Sequence, residues 1–412
     1  MQTHTLAQFL ATPAGREADA ILRACVHCGF CTATCSTYQL LGDELDGPRG
    51  RIYQIKQVLE GQTPTRITQG HLDRCLTCRA CETTCPSGVR YARLVDIGRH
   101  LVAQQVARPW SERLLRSALV RVAADPRRFG ALLRLGRWVR PLLPAALAAK
   151  VPRWRPAGAW PAPRGRRRVL VLAGCVQSVA TPLTNAAAAR ILDALGIDLI
   201  RRPQAGCCGA LAYHLEAQPE GLDAMRRNID AWWPEIEAGA EAILITASAC
   251  ASMVKDYGEL LGDDSVYAAR AARVAALARD PAEWLTTLDL TALGQPGHGR
   301  RVAFHAPCSL QHGQQIRGVV ESILSRLGFV LTAVPDAHLC CGSAGTYSLT
   351  QPEIAGQLRT NKLAALQSDA PELIATANIG CQLHLEGGSR VPVVHWLELL
   401  DPGTGLAVDC RR

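Results

Sequence analysis

The sequence predicts a multidomain α+β chain: an α-helical N-terminal domain with two cysteine runs, a basic segment, and two copies of one α/β module. Three observations predict it. Cys25, Cys28, Cys31 and Cys35 recur as Cys75, Cys78, Cys81 and Cys85, both runs spaced C-x2-C-x2-C-x3-C. Residues 108–168 hold fifteen Arg, one Lys and two acids, a local net charge of +14 in a chain whose total is +9. Beyond them Cys175, Cys207-Cys208-Gly209 and Cys250 return as Cys308, Cys340-Cys341-Gly342 and Cys381, offset by 133 residues (131 for the last). A chain of 412 residues is long enough for several cores. The expected units are 1–107, 108–168, 169–300 and 301–412.

In the first unit, Ala20 to Ala24 leads helically into the first run. Arg51 to Glu60 puts Ile52, Ile55, Val58 and Leu59 on one face and ends at Gly61. Asp46-Gly-Pro-Arg-Gly-Arg51 supplies a turn and a helix start at Pro48. It leaves Arg49 and Arg51 either beside the first run, where they would offset anionic charge, or merely solvated. The cysteine spacing resembles that of two-cluster bacterial ferredoxins, so this unit reads as an α-helical two-cluster ferredoxin domain. In that pattern three thiolates of one run hold a [4Fe-4S] cluster and the fourth ligates the other. The resemblance implies one cluster on Cys25, Cys28, Cys31 and Cys85, and a second on Cys35, Cys75, Cys78 and Cys81. Cys85 precedes Pro86 as the pattern asks; Cys35 precedes Ser36, a departure that loosens the turn and keeps the ligand. Zinc is the alternative, but structural zinc usually takes two cysteine pairs held well apart.

The basic segment carries Trp110, Trp138, Trp154 and Trp160, half of the eight tryptophans, and ends in a proline-rich stretch before Arg166, Arg167 and Arg168. A solvated linker, a docking surface for a partner or an anionic membrane, and nucleic-acid binding compete here. No nucleic-acid recognition motif accompanies the charge, so no nucleic-acid partner is expected.

The two modules repeat flanks as well as cysteines. Val169 to Ala173 and Val302 to His305 read as buried strands running toward Cys175 and Cys308. Ile191-Leu-Asp-Ala-Leu-Gly196 and Ile323-Leu-Ser-Arg-Leu-Gly328 read as helix ends closed by glycine, each followed by a strand. Each module therefore gathers four thiols at one end of a short parallel sheet. The Cys-Cys-Gly repeat resembles the cysteine-rich (CCG) domain of heterodisulfide reductase subunits, which carries an iron–sulfur cluster or zinc and closes with C-x2-C. Here Met253 and His384 stand where that last thiol belongs. The second copy has His305, His338 and His384 near its cysteines in sequence, the first only His214. Cys308, Cys340, Cys341 and Cys381 are thus the candidate third site, for an iron–sulfur cluster or zinc. Buried thiols without metal remain the alternative.

Neither a G-x-G-x-x-G turn after a strand, a G-x4-G-K-[ST] loop nor a flavin motif is found, and no catalytic residue is assigned. No apolar run approaches the roughly 18 residues of a membrane span, and no export signal is visible. The expectation is a cytoplasmic protein, peripheral at the inner membrane. Leu22 to Cys35, Gly42 to Arg51, Cys75 to Pro86, Asn228 to Trp233 and His338 to Tyr347 together resemble the iron–sulfur subunit of bacterial glycolate oxidase, in the same order from about Arg16 to Trp396. The resemblance implies a non-flavin electron-transfer subunit in a complex with flavin-containing subunits that oxidises glycolate to glyoxylate, and D-lactate to pyruvate, with electrons passing to a membrane respiratory acceptor such as quinone. The alternatives are a related D-lactate or glycerol-3-phosphate dehydrogenase subunit, or a heterodisulfide reductase-like thiol/disulfide subunit.

Overall fold

A computed structural model describes residues 1–144, 148, 151–152, 154–165 and 167–403. Its N-terminal domain is helical and free of strands among the described residues. Thr12 caps α1 (Pro13–Ala24) by accepting from the Gly15 N–H, and Pro13 presets the first turn, so the helix hands Cys25 to the first run at its C-terminal end. Helix α2 (Pro48–Leu59) begins at its proline and buries Ile52, Ile55, Val58 and Leu59. That face packs on α3 (Tyr91–Gln105), where Gly98 permits the approach: a Cβ there would stand 2.6 Å from Ile55 Cγ1. The core so formed takes in Leu22, Leu72, Leu94 and Val95 and carries Cys25, Cys75 and Cys81.

Helices α4 (Trp110–Ala123) and α5 (Pro126–Val139) follow, joined through Asp125, whose carboxylate accepts from the Arg127 and Arg128 N–H groups. The basic segment therefore begins as a helical hairpin rather than as extended linker. No residue of α4 is buried, and of α5 only Leu133 is. Its polar side does make contacts: Arg108 and Arg116 face Asp73 and Glu216. Arg167 and Arg168, read with Arg166 as part of the free basic stretch, instead pair with Glu241 and Glu235 at the start of the first strand; Arg166 lies outside the described residues.

Each module is a four-stranded parallel sheet. The first has the order β2-β1-β3-β4, from β1 (Arg167–Val171), β2 (Ile197–Arg201), β3 (Ala242–Leu244) and β4 (Ala278–Arg279). The second repeats it as β6-β5-β7-β8, from β5 (Arg301–His305), β6 (Val330–Leu331), β7 (Leu373–Thr376) and β8 (Val393–His395). Matching registers bring Val169 beside Leu199 and Ala242, and Val302 beside Leu331 and Leu373. Gly196 and Gly328 hold positive φ values of 78° and 86°, which end the helices before β2 and β6. One apolar core runs through both sheets, joining Val169, Leu199 and Ile191 to Val302, Phe304 and Trp396. The seam is closed by the Ser248 N–H donating to Ala377 O at 3.0 Å and by His395 Nε2 against Thr246 O at 2.8 Å.

Candidate metal centres

The two cysteine runs share a backbone device. The second residue after the first cysteine and the residue after the second cysteine both turn left-handed: His27 and Gly29 in one run, Thr77 and Arg79 in the other. Three of these four are not glycine, so the conformation is held against its intrinsic cost by the surrounding fold. Coiled this way, the chain points thiols inward, and the Thr77 N–H reaches Cys75 Sγ at 3.4 Å.

Two adjoining clefts result. The first, open to solvent along part of its about 420 Å³, is lined by Cys25, Cys28, Cys31, Cys81 and Cys85. The second encloses about 300 Å³ and is lined by Cys35, Cys75, Cys78 and Cys81. Pro48, Cys81 and Tyr91 belong to both, so only one layer of side chains divides them. Around the first cleft Cys28, Val26 and Phe30 are exposed; of the second cleft's cysteines Cys35, Cys75 and Cys81 are buried and Cys78 is half-buried. Burial pushes the Cys31 thiol up to about 11, with the neighbouring Cys25 adding to it, and burial likewise raises Cys78 and Cys81 well above the ordinary thiol range. Thiolates in these clefts require a cation, and a metal cluster supplies it.

The two arginines part company. Arg49 lines the first cleft and pairs with Glu44 at 2.6 Å. Arg51, expected beside the same cleft or solvated, is 1% exposed and lines the second. It donates to His71 O (2.7 Å), Thr37 Oγ1 (3.2 Å) and Asp46 Oδ1 (3.4 Å). Burial alone would lower its basicity, yet Tyr91, Cys75, Cys35 and Asp46 around it hold it protonated more firmly than usual. Asp46 is also held by Arg74 and His71, both at 2.9 Å, so its grouping with Asp43 and His71 is an ion-pair network.

In the modules the thiols leave the carboxyl ends of the parallel strands, where loops converge. They form contiguous rows, Cys175, Cys207, Cys208 and Cys250 in the first, Cys308, Cys340, Cys341 and Cys381 in the second. The nearby histidines behave differently from their sequence positions. His214 turns away from the first row to pair with Asp96 of α3 at 3.3 Å. His384 Nε2 contacts Ala355 O at 3.2 Å, and His338 offers its carbonyl to His312. His305 alone joins the second row: a ring nitrogen, Cys341 Sγ and Cys381 Sγ lie within 4.8 Å of one another, all buried. Burial holds that ring neutral, its pKa lowered to about 3.

The helical domain sits directly on the second row. Cys78 of the second cleft stands beside Cys308, and Leu76 packs with Cys340, Tyr347 and Leu358. Ser36 lies at this junction: its Oγ accepts from the buried Cys340 N–H at 3.1 Å. A proline at position 36 could not do so. The residue that departs from the ferredoxin pattern is thus one of those that fasten the two domains, together with the Tyr347 hydroxyl donating to Arg74 O at 3.0 Å and Thr83 Oγ1 against His312 Nδ1 at 3.0 Å, and only its departure signalled it.

Two adjoining thiol clefts on a helical scaffold, docked on a pair of cysteine-rich α/β modules, define an iron–sulfur electron-transfer protein. Comparison with known proteins bears this out: residues 21–89 match the 4Fe-4S dicluster domain, and residues 169–255 and 302–386 each match the Cysteine-rich domain. The glycolate oxidase iron–sulfur subunit of Escherichia coli K12 is 58% identical over 97% of this chain and 98% of its own length. The probable glycolate oxidase iron–sulfur subunit of Bacillus subtilis is 29% identical over 92% of this chain and 94% of its own. Lactate utilization protein A of Geobacillus kaustophilus is 28% identical over 52% of this chain and 90% of its own. The chain belongs to the family of glycolate oxidase iron–sulfur subunits. No helix among the described residues is long and apolar enough to cross a membrane.

Proposed function

We propose that this chain is the electron-transfer subunit of a complex whose flavin-containing partners oxidise glycolate to glyoxylate, and D-lactate to pyruvate, with electrons leaving to a membrane quinone. The observation that carries the reading is the pair of adjoining thiol clefts that share Pro48, Cys81 and Tyr91. The ligands proposed are Cys25, Cys28, Cys31 and Cys85 in the first cleft, and Cys35, Cys75, Cys78 and Cys81 in the second. A [4Fe-4S] centre bound there supplies one-electron chemistry, which the flavin partners need in order to divide a two-electron oxidation. The chain's own groups tune it. The Thr77 N–H and Tyr91 hydroxyl donate to Cys75 Sγ, and Arg51 offsets the anionic charge of the second cleft. Exposed Val26 and Phe30 at the mouth of the first cleft suit the docking of a flavin subunit. A third metal is proposed in the second module, at the row from Cys308 to Cys381.

The exposed hairpin α4–α5 is the proposed contact with the cytoplasmic face of the inner membrane. Trp110 and Trp138 are 72% and 78% exposed, among arginines, a combination that suits an anionic lipid surface. The test of the whole reading is Cys28→Ser in the assembled complex. Glycolate-to-quinone electron flow should be lost while the flavin partners still reduce an artificial dye. Loss of dye reduction in an intact complex refutes the division of roles.

A further inference from the structure

The two modules differ at one buried side chain that matters for metal. The 133-residue offset that aligns Cys308 with Cys175 aligns His305 with Leu172. Leu172 is 2% exposed and packs in the first module's core. His305, equally buried at the end of β5, turns its ring to Cys341 and Cys381, and its Nε2 has no hydrogen-bond partner. A buried ring nitrogen without a partner is costly, and the ring that carries it stands beside two thiols.

We propose that His305 is a metal ligand, and that with Cys341, Cys381 and the adjacent Cys340 it holds a single zinc ion. This rests on the reading that the second module carries a metal, and it settles which donors and which metal. Donors around one tetrahedral zinc, at about 2.0 Å for nitrogen and about 2.3 Å for sulfur, lie within roughly 4 Å of one another. His305, Cys341 and Cys381 come near that compactness, all within 4.8 Å of one another, and Cys340, outside that group but beside Cys341, is the nearest thiol to complete the set. Among the described residues the other three-donor group closing to within 4.8 Å is the Asp43 network, so no three of the cleft cysteines draw so close together. Ligands of a cluster sit on different irons and need that wider spread. Supporting donors are in place: Asn378 Nδ2 reaches Cys381 Sγ at 3.5 Å, and the Gly342 N–H reaches Cys340 Sγ at 3.4 Å. Cys308 is left out of the set: its thiol neighbours are Cys340 and Cys78 of the helical domain, at the end of the row away from His305. Zinc has no redox chemistry. The second module then braces the wall of the second cleft and adds no further redox station.

The test is metal analysis of the complex purified anaerobically, with zinc X-ray absorption on the unmodified protein and His305→Leu as the variant. Leucine is the first module's own residue at this position, so packing is preserved. The expected result is about eight irons and one zinc per chain, with nitrogen at about 2.0 Å beside sulfur at about 2.3 Å, and loss of zinc but not iron in His305→Leu. Zinc in an all-sulfur shell, or zinc retained in the variant, overturns the role of His305 while leaving the module a metal site. Iron well above eight without zinc overturns the choice of metal. Eight irons and no other metal overturns both this inference and the reading it rests on.

Discussion

Replacing Arg51 by Met tests how the second cleft is held. The guanidinium is 1% exposed and makes three hydrogen bonds, to His71 O, Thr37 Oγ1 and Asp46 Oδ1. Removing one partner from a buried charge pair costs about 3–5 kcal/mol. Asp46 keeps Arg74 and His71, so the lower end applies, about 3 kcal/mol, or roughly a hundredfold in a local opening equilibrium. Hydrogen exchange of the α2 amides should therefore accelerate on the order of a hundredfold under conditions where reclosing outpaces exchange. The same loss removes a cation beside Cys35 and Cys75 and should lower the potential of the centre in the second cleft, read by an EPR-monitored redox titration. Arg51→Lys separates the two effects, since it keeps the charge and loses the fork: the potential should stay close to wild type while exchange still accelerates. A folded Arg51→Met protein with wild-type exchange in α2 and unchanged potentials would refute the reasoning.

Two further predictions concern other parts of the chain. Burial raises the carboxyl of Asp280, a fully buried helix cap, from 3.8 to about 7. Its contribution is therefore complete at low pH and is lost as pH climbs from about 4 to 7, by at most about 4 kcal/mol. Asp280→Asn, which keeps the acceptor for the Ala282 N–H, should raise the melting temperature clearly at pH 8 and little near pH 4; equal gains at both would contradict the assignment. Trp110→Ala with Trp138→Ala should weaken cosedimentation with anionic vesicles, and rising salt should release the unaltered protein. If the double variant instead drops the flavin subunits, the hairpin is a subunit dock.

The fold class was legible because spacing and offset are one-dimensional records of three-dimensional repeats. Two cysteine runs fifty residues apart and two modules 133 apart announce themselves without any packing information. Pro48 and Gly61, Gly196 and Gly328 punctuate helices where their backbone chemistry says they should. What failed was orientation. His338 and His384 neighbour the thiols in sequence, yet His338 presents its carbonyl to His312 and the His384 ring meets the Ala355 and Cys341 backbone, while His305 turns its ring to the thiols from a strand end. Proximity along the chain says nothing of which ring faces which way; the mismatch of His305 with Leu172 was the available signal. Arg51 was misplaced for the same reason, since two residues along a helix swing a side chain through some 200°. Charge and tryptophan content do not reveal that Arg167 and Arg168 already have carboxylates while Trp110 and Trp138 stay exposed.

The junction at Ser36 also sets an order of events in the making of the protein. Cys78, Leu76 and the Ser36 hydroxyl meet Cys340, Cys308 and Tyr347 on the far side of the second cleft, so the second module forms a wall over it. The first cleft, with Cys28 exposed at its mouth, stays within reach of a donor after the whole chain has folded. The second does not. On the proposed ligand set, iron and sulfide would have to reach Cys35, Cys75, Cys78 and Cys81 while the helical domain is still apart from the module. A chain that closes too early would leave those four thiols unfilled behind it, with the Ser36, Tyr347 and Thr83 hydrogen bonds and the Leu76 contact holding the wall in place.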